Sequence, residues 1–139
     1  MPVISYDYLP KPFVKNDKLS AIYTPVIPIR LSVQHKLYKN SIYCLVDSGA
    51  DHNLFPADIG ELLGLKIKKG EKVEHTGIGD VGILAYRHPV KLFLEGYSFQ
   101  TFADFSFDHK IPLLGRDDFF TCFKRVIFNE TKRQLHLEY

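Results

Sequence analysis

A mostly-β barrel is the fold class the sequence predicts, and three observations carry it. Short apolar runs with period-two alternation recur along the chain, separated by clusters of Gly, Pro, Asn and Asp. Only two stretches carry helix signals, and both are short. The regular alternation of strands with long helices that builds a parallel sheet is missing. At 139 residues the chain is one domain with room for a core of its own. Its 45% hydrophobic and 24% charged residues are those of a globular protein, which excludes the disordered and fibrous classes.

Residues 1–20 hold Pro2, Pro10 and Pro12 with weak periodicity, and are expected to form an irregular arm ahead of a domain spanning 21–139. Val26, Ile27, Ile29, Leu31 and Val33 alternate as a strand, with Pro25 and Pro28 marking an exposed edge near its start. A polar turn from Gln34 to Asn40 leads into the apolar run Tyr43-Cys44-Leu45-Val46, so the two runs form a hairpin. Pro56 and Gly64 bracket a short helix, with Ile59, Leu62 and Leu63 expected on the core side. Val73 to Tyr86 reads as two arms around a glycine-rich tip, and His88 to Phe102 as a hairpin turning at Glu95-Gly96. Ala103 to Phe107 continues as strand. Asp117 is placed to cap a second helix over about 118–124 that packs Phe119, Phe120 and Phe123. Val126 to Leu137 closes the chain as a last hairpin.

The net charge of +2 gives no sign of a nucleic-acid or acidic-membrane partner, because the basic stretches 66–72 and 124–133 are interleaved with acidic or neutral residues. Cys44 and Cys122 sit in apolar surroundings without metal-ligand spacing, as packed, reduced thiols do. None of the six histidines forms a ligand pair at i, i+4, so no metal and no cofactor is expected. No apolar run is long enough to span a membrane, and the first residues lack a signal peptide's layout. A soluble, cytoplasmic protein is expected.

The chemistry concentrates at Asp47-Ser48-Gly49-Ala50-Asp51, where a buried strand runs directly into a carboxylate. Desolvation disfavours a charged carboxylate, so one placed there needs a cap, an ion partner or a catalytic partner. Two further motifs follow in order. Thr76-Gly77-Ile78-Gly79-Asp80-Val81-Gly82 is a glycine-punctuated tip, and Ile111-Pro112-Leu113-Leu114-Gly115-Arg116-Asp117 repeats the pattern of an apolar run ending in glycine.

Taken together over residues 25–139, these motifs resemble a subunit of the retropepsin-like aspartic peptidases. The resemblance implies a closed β-barrel with two short helices, active as a symmetric homodimer on peptide or protein substrates. Such chemistry needs two carboxylates about 3 Å apart sharing one proton, one acting as base and the other as acid. The chain has one Asp-Ser-Gly and is too short for two lobes, so the second carboxylate must come from a second copy.

By resemblance, Asp47 is the catalytic residue. Ser48 bridges to the opposite turn, and Gly49 lets the substrate backbone approach. Asp51 forms an ion pair with Arg116 within one subunit and also receives a substrate amide. Gly77, Ile78 and Gly79 form the flap tip, although Asp80 stands where the family has glycine. Ile78, Ile83, Pro112, Leu113 and His52 line the substrate cleft, an apolar set suited to extended peptides with hydrophobic side chains. The alternative is a catalytically weak dimer of the same fold that binds peptides or scaffolds a partner, since fold does not fix activity.

Overall fold

The computed structural model describes residues 2–76 and 82–139. Thirteen strands follow in chain order among these residues: β1 Val3–Asp7, β2 Leu9–Lys15, β3 Lys18–Thr24, β4 Val26–Val33, β5 Lys36–Leu37, β6 Ile42–Val46, β7 Leu54–Pro56, β8 Glu71–Thr76, β9 Gly82–Leu94, β10 Tyr97–Ser106, β11 Leu113–Leu114, β12 Arg125–Asn129 and β13 Gln134–Glu138. One α-helix, α1 Ala57–Leu62, and two single turns of 3-10 helix, Ile67–Lys69 and Phe120–Cys122, interrupt them.

The main sheet runs β5-β4-β6-β11-β7-β10-β9-β8, and β4 also pairs with β9. That extra pairing closes a ring of six strands, β4-β6-β11-β7-β10-β9, into a mostly-β barrel. Closure leaves no free edge around the ring, which removes a template for aggregation. Inward residues of β4 alternate as the sequence predicts: Ile27, Ile29, Leu31 and Val33 are buried. They meet Cys44, Val46, Leu92, Phe105 and Leu114 in one core. Both cysteines are free, and burial pushes the Cys44 thiol pKa well up.

The expected hairpins β4–β6, β9–β10 and β12–β13 all form in register. Gly96, at φ +75°, makes the tight turn between Leu94 and Tyr97. Helix α1 ends in a Schellman motif, with Gly64 at φ +81° donating to the Glu61 carbonyl and Leu65 to that of Gly60.

Four local expectations are corrected. Residues 1–20 are not irregular. β1 pairs antiparallel with β13, and β2 and β3 form a hairpin around Asn16-Asp17. Both turn residues have positive φ, the backbone of a type I′ turn, and asparagine and aspartate tolerate it better than most side chains. Leu62 is 73% exposed; Ala57, Gly60 and Leu63 take the inner side of the helix, with Ile59 half-buried. Pro56 occupies the cap position, one residue ahead of the helix. The second helix is a single 3-10 turn, and Asp117 contributes its carbonyl, not its carboxylate, by accepting from the Thr121 hydroxyl. Packing decides that segment: Phe119 is buried at centroid distances of 4.9 Å from Phe123 and 5.9 Å from Phe99.

Candidate active site

Asp47 leaves the end of β6 as a half-buried residue gripped on both sides by backbone. β11 runs parallel to β6, with Leu113 opposite Leu45 and Leu114 opposite Val46. The Leu45 amide donates to Pro112 (2.9 Å) and the Asp47 amide to Leu114 (3.0 Å). On the other flank the Val46 amide donates to Pro25 (2.9 Å). The turn then closes on itself, Ala50 N–H to the Asp47 carbonyl (3.2 Å) and Gly49 N–H to Asp47 Oδ1 (2.8 Å). The second of these is an Asx turn, which orients the carboxylate. A Cβ at Gly49 would stand 3.3 Å from Asp47 Oδ1, crowding the oxygen that the turn holds. Ser48 and Gly49 are exposed.

The next residues are braced by the loop after β11. The amides of Arg116 and Asp117 donate to the carbonyls of Ala50 and Asp51, each at 2.8 Å. Asn53 is fully buried; its Oδ1 accepts from the Gly115 amide (3.1 Å) and its Nδ2 donates to the Phe102 carbonyl (3.0 Å). Gly115 is forced by contact. A Cβ there would lie 2.5–2.7 Å from the backbone of His52, a distance real Cβ atoms do not tolerate.

The expected ion pair between Asp51 and Arg116 is not among the ion pairs of the described residues. The two segments are joined through backbone instead, and both side chains are exposed. Water solvates two such charges well, so little is gained by pairing them.

The arginine that does bridge carboxylates is Arg87, on β9. Asp104 and Asp118 are 0% and 4% exposed, and Arg87 spans both. Its Nη1 approaches Asp104 Oδ1 and Asp118 Oδ2, each at 3.0 Å, and its Nη2 pairs with Asp118 Oδ1. His75 Nε2 lies 2.6 Å from Asp104 Oδ2. His52 Nδ1 lies 3.1 Å from Arg87 Nη1 and 3.3 Å from Asp118 Oδ2. Nη1 has two hydrogens and three acceptors around it. Charge-assisted bonds to carboxylates are the stronger ones, so the two aspartates take both hydrogens and His52 Nδ1 is free to donate to Asp118.

The Asn53 amide also donates to Asp118 Oδ2 (3.0 Å), which ties the cluster to the loop leaving the Asp47 turn. Burial alone raises the Asp104 pKa, but hydrogen bonds from His75 and Arg87 outweigh it and hold it below the usual value. Burial works against the Arg87 charge, and the bonds to Asp118 and Asp104 more than restore it. Sequence reading missed this cluster. Its residues come from five separate stretches, and the available signal was weak: Asp118 beside Asp117, in a run of phenylalanines.

The remaining candidates fall as follows. Leu113 and Ile83 are half-buried, Leu113 beside the strand into Asp47 and Ile83 opposite His75 on the β8–β9 hairpin. Pro112 lines a surface cavity of about 530 Å3 with Tyr38, Ile59 and His109; Asp47 is not part of its lining. The His52 ring faces Arg87 and Asp118. Gly77, Ile78 and Gly79 lie outside the described residues. β8 and β9 pair up to Thr76 and Gly82 on either side of them. Among the described residues no helix is long and apolar enough to cross a membrane.

The chain is similar in structure to a retropepsin-like aspartic protease from Rickettsia conorii, at a TM-score of 0.65 and 18% identity over 99% of this chain and 91% of the other. It also aligns with the EIAV protease complexed with the inhibitor HBY-793, at a TM-score of 0.48 and 24% identity over 68% of this chain and 83% of that one. No family model and no curated sequence matches it. At these identities the first likeness speaks for the fold, and that fold is retropepsin-like.

Proposed function

We propose that a chain of this retropepsin-like fold is one half of an aspartic endopeptidase, with Asp47 paired to its counterpart in a second copy. One observation carries the reading. The carboxylate that ends a barrel strand in the Asp-Ser-Gly turn is half-buried and backbone-braced, while the buried carboxylates among the described residues are already committed, Asp104 and Asp118 to Arg87 and Glu138 to Arg125. The chain holds one Asp-Ser-Gly and is too short for two lobes, so the second member of the dyad comes from an isologous dimer, at its two-fold axis.

In that dimer the two Asp47 carboxylates share one proton, because like charges so close do not both ionise. The ionised one takes a proton from a water held between them, and the water oxygen attacks the peptide carbonyl. The protonated one hydrogen-bonds the carbonyl oxygen, and a proton passes to the leaving amine. Ser48 on each turn faces the other copy and fixes the carboxylate planes. Gly49 and Asp51 receive the substrate backbone, and Leu113 and Ile83 contact its side chains. The apolar character of these residues favours hydrophobic side chains about the cleaved bond.

A peptide library incubated with wild type and Asp47→Asn, from mildly acidic to neutral pH, tests this by mass spectrometry. Cuts beside apolar residues that disappear in the variant are expected. Cuts that persist in Asp47→Asn would overturn the assignment, and a dimeric wild type that cuts nothing would move it to a peptide-binding module.

A further inference from the structure

We infer that the β2–β3 hairpin is the arm with which one copy of this chain clasps a second. The inference rests on the dimer proposed above and goes beyond it by naming the surface.

The hairpin is exposed along its whole length: every residue of β2 and all but Thr24 of β3 face solvent. Its register sorts the side chains onto two faces. Pro10 pairs with Tyr23, Pro12 with Ala21 and Val14 with Leu19, so one face is apolar throughout. Lys11, Lys15 and Lys18 lie with Leu9, Phe13, Ser20, Ile22 and Thr24 on the other. On the apolar face Val14 is 72% and Leu19 80% exposed. A contiguous apolar face of this kind marks an interaction surface, and a two-stranded ribbon alone is marginal in water. Something covers it.

Position identifies the occupant. The hairpin leads directly into Pro25, whose carbonyl accepts from the Val46 amide, and Val46 is the residue before Asp47. The arm is thus rooted at the catalytic end of the barrel, where the second copy must stand if the dyad is to form. Its root is fixed: the Tyr8 amide donates to the Arg133 carbonyl (2.8 Å), and the Arg133 guanidinium lies 3.8 Å from the Tyr23 ring centroid. From that root, strands of seven residues reach about 23 Å. The last strand is not open to a second copy, because β13 is filled on both sides, by β1 and β12, within one chain. A stable dimer buries about 800 Å2 on each partner. Two catalytic turns meeting at an axis supply little of that, and an arm from each copy supplies the rest.

Sedimentation of wild type, Asp47→Asn and the double variant Val14→Asp/Leu19→Asp tests the arm, with circular dichroism and peptide cleavage on the same samples. Wild type and Asp47→Asn are expected to sediment at twice the 16.0 kDa chain mass. The double variant is expected to keep the barrel's spectrum, sediment as a monomer at the same concentration and lose cleavage. Val14→Ser/Leu19→Ser, which adds no charge, is expected to weaken the dimer by a factor of about ten or more. A folded double variant that stays dimeric and still cuts would overturn the arm and leave the Asp47 assignment standing. A monomeric wild type would overturn the arm and give the apolar face to a different protein. Cleavage that survives in Asp47→Asn refutes the catalytic reading, not the arm.

Discussion

The Asp47 turn and the Arg87 cluster are opposites in construction. The turn is five consecutive residues whose bonds are almost all backbone, and its candidate chemistry is incomplete in one chain. The cluster draws His52, Asn53, His75, Arg87, Asp104 and Asp118 from five stretches, and its partners are all supplied within one chain. One is a local device that the proposed dyad would complete with a second copy. The other is a non-local one that holds the loop behind the turn to the base of the β8–β9 hairpin. Chemistry and rigidity are thereby separated, and mutations should separate them too.

Arg87→Met should have the largest effect on stability. It strips the counter-charge from two buried carboxylates, and breaking a buried pair in this way costs about 3–5 kcal/mol. A large fall in the urea midpoint without a change in slope is the expected result. Asp47→Asn, measured alongside, should leave the midpoint close to wild type, since its Oδ1 still accepts from Gly49. Equal losses at the two sites would erase the distinction.

Asp104→Asn should cost less, about 1–3 kcal/mol, because the shape is kept and one charge-assisted partner is lost. Its signature is in the pH dependence. The folded chain holds the Asp104 pKa below the unfolded value, so folding favours the charged form. That contribution is complete above the ordinary carboxylate pKa of about 3.9 and is lost as pH falls through the lower folded value. Thermal melts of wild type between pH 6 and pH 2 should therefore decline on the acid side more steeply than those of the variant. Parallel curves would mean that Asp104 is not held by His75 and Arg87 as the geometry requires.

The same contrast explains what could be read in advance. The turn and the β4–β6 and β9–β10 hairpins were legible because each signal sits in a few consecutive residues. Alternation, a turn glycine and a polar residue after an apolar run are such signals. Pro10 and Pro12 concealed β2, since proline argues against a strand inside a sheet but is harmless on a two-stranded ribbon with solvent on its outer edges. Leu62 fitted a helical stripe, yet the helix is under two turns long and Gly60 and Leu63 already fill the inner side. The arginine was the instructive miss. The resemblance pointed to Arg116, which among the described residues is joined to the turn through backbone, while Arg87 lies inside a strand and shows its role only when the barrel closes.

The central claim, one active site built from two copies of Asp47, has a direct test in subunit mixing. Cleavage is measured at fixed wild-type concentration while Asp47→Asn is added, at total concentrations where the chain is dimeric and subunits exchange. With random pairing, a nine-fold excess of variant leaves about a tenth of the wild-type subunits paired with one another, so the rate should fall to about a tenth. A rate unchanged by the variant would show that each chain cuts alone, and would contradict the shared dyad.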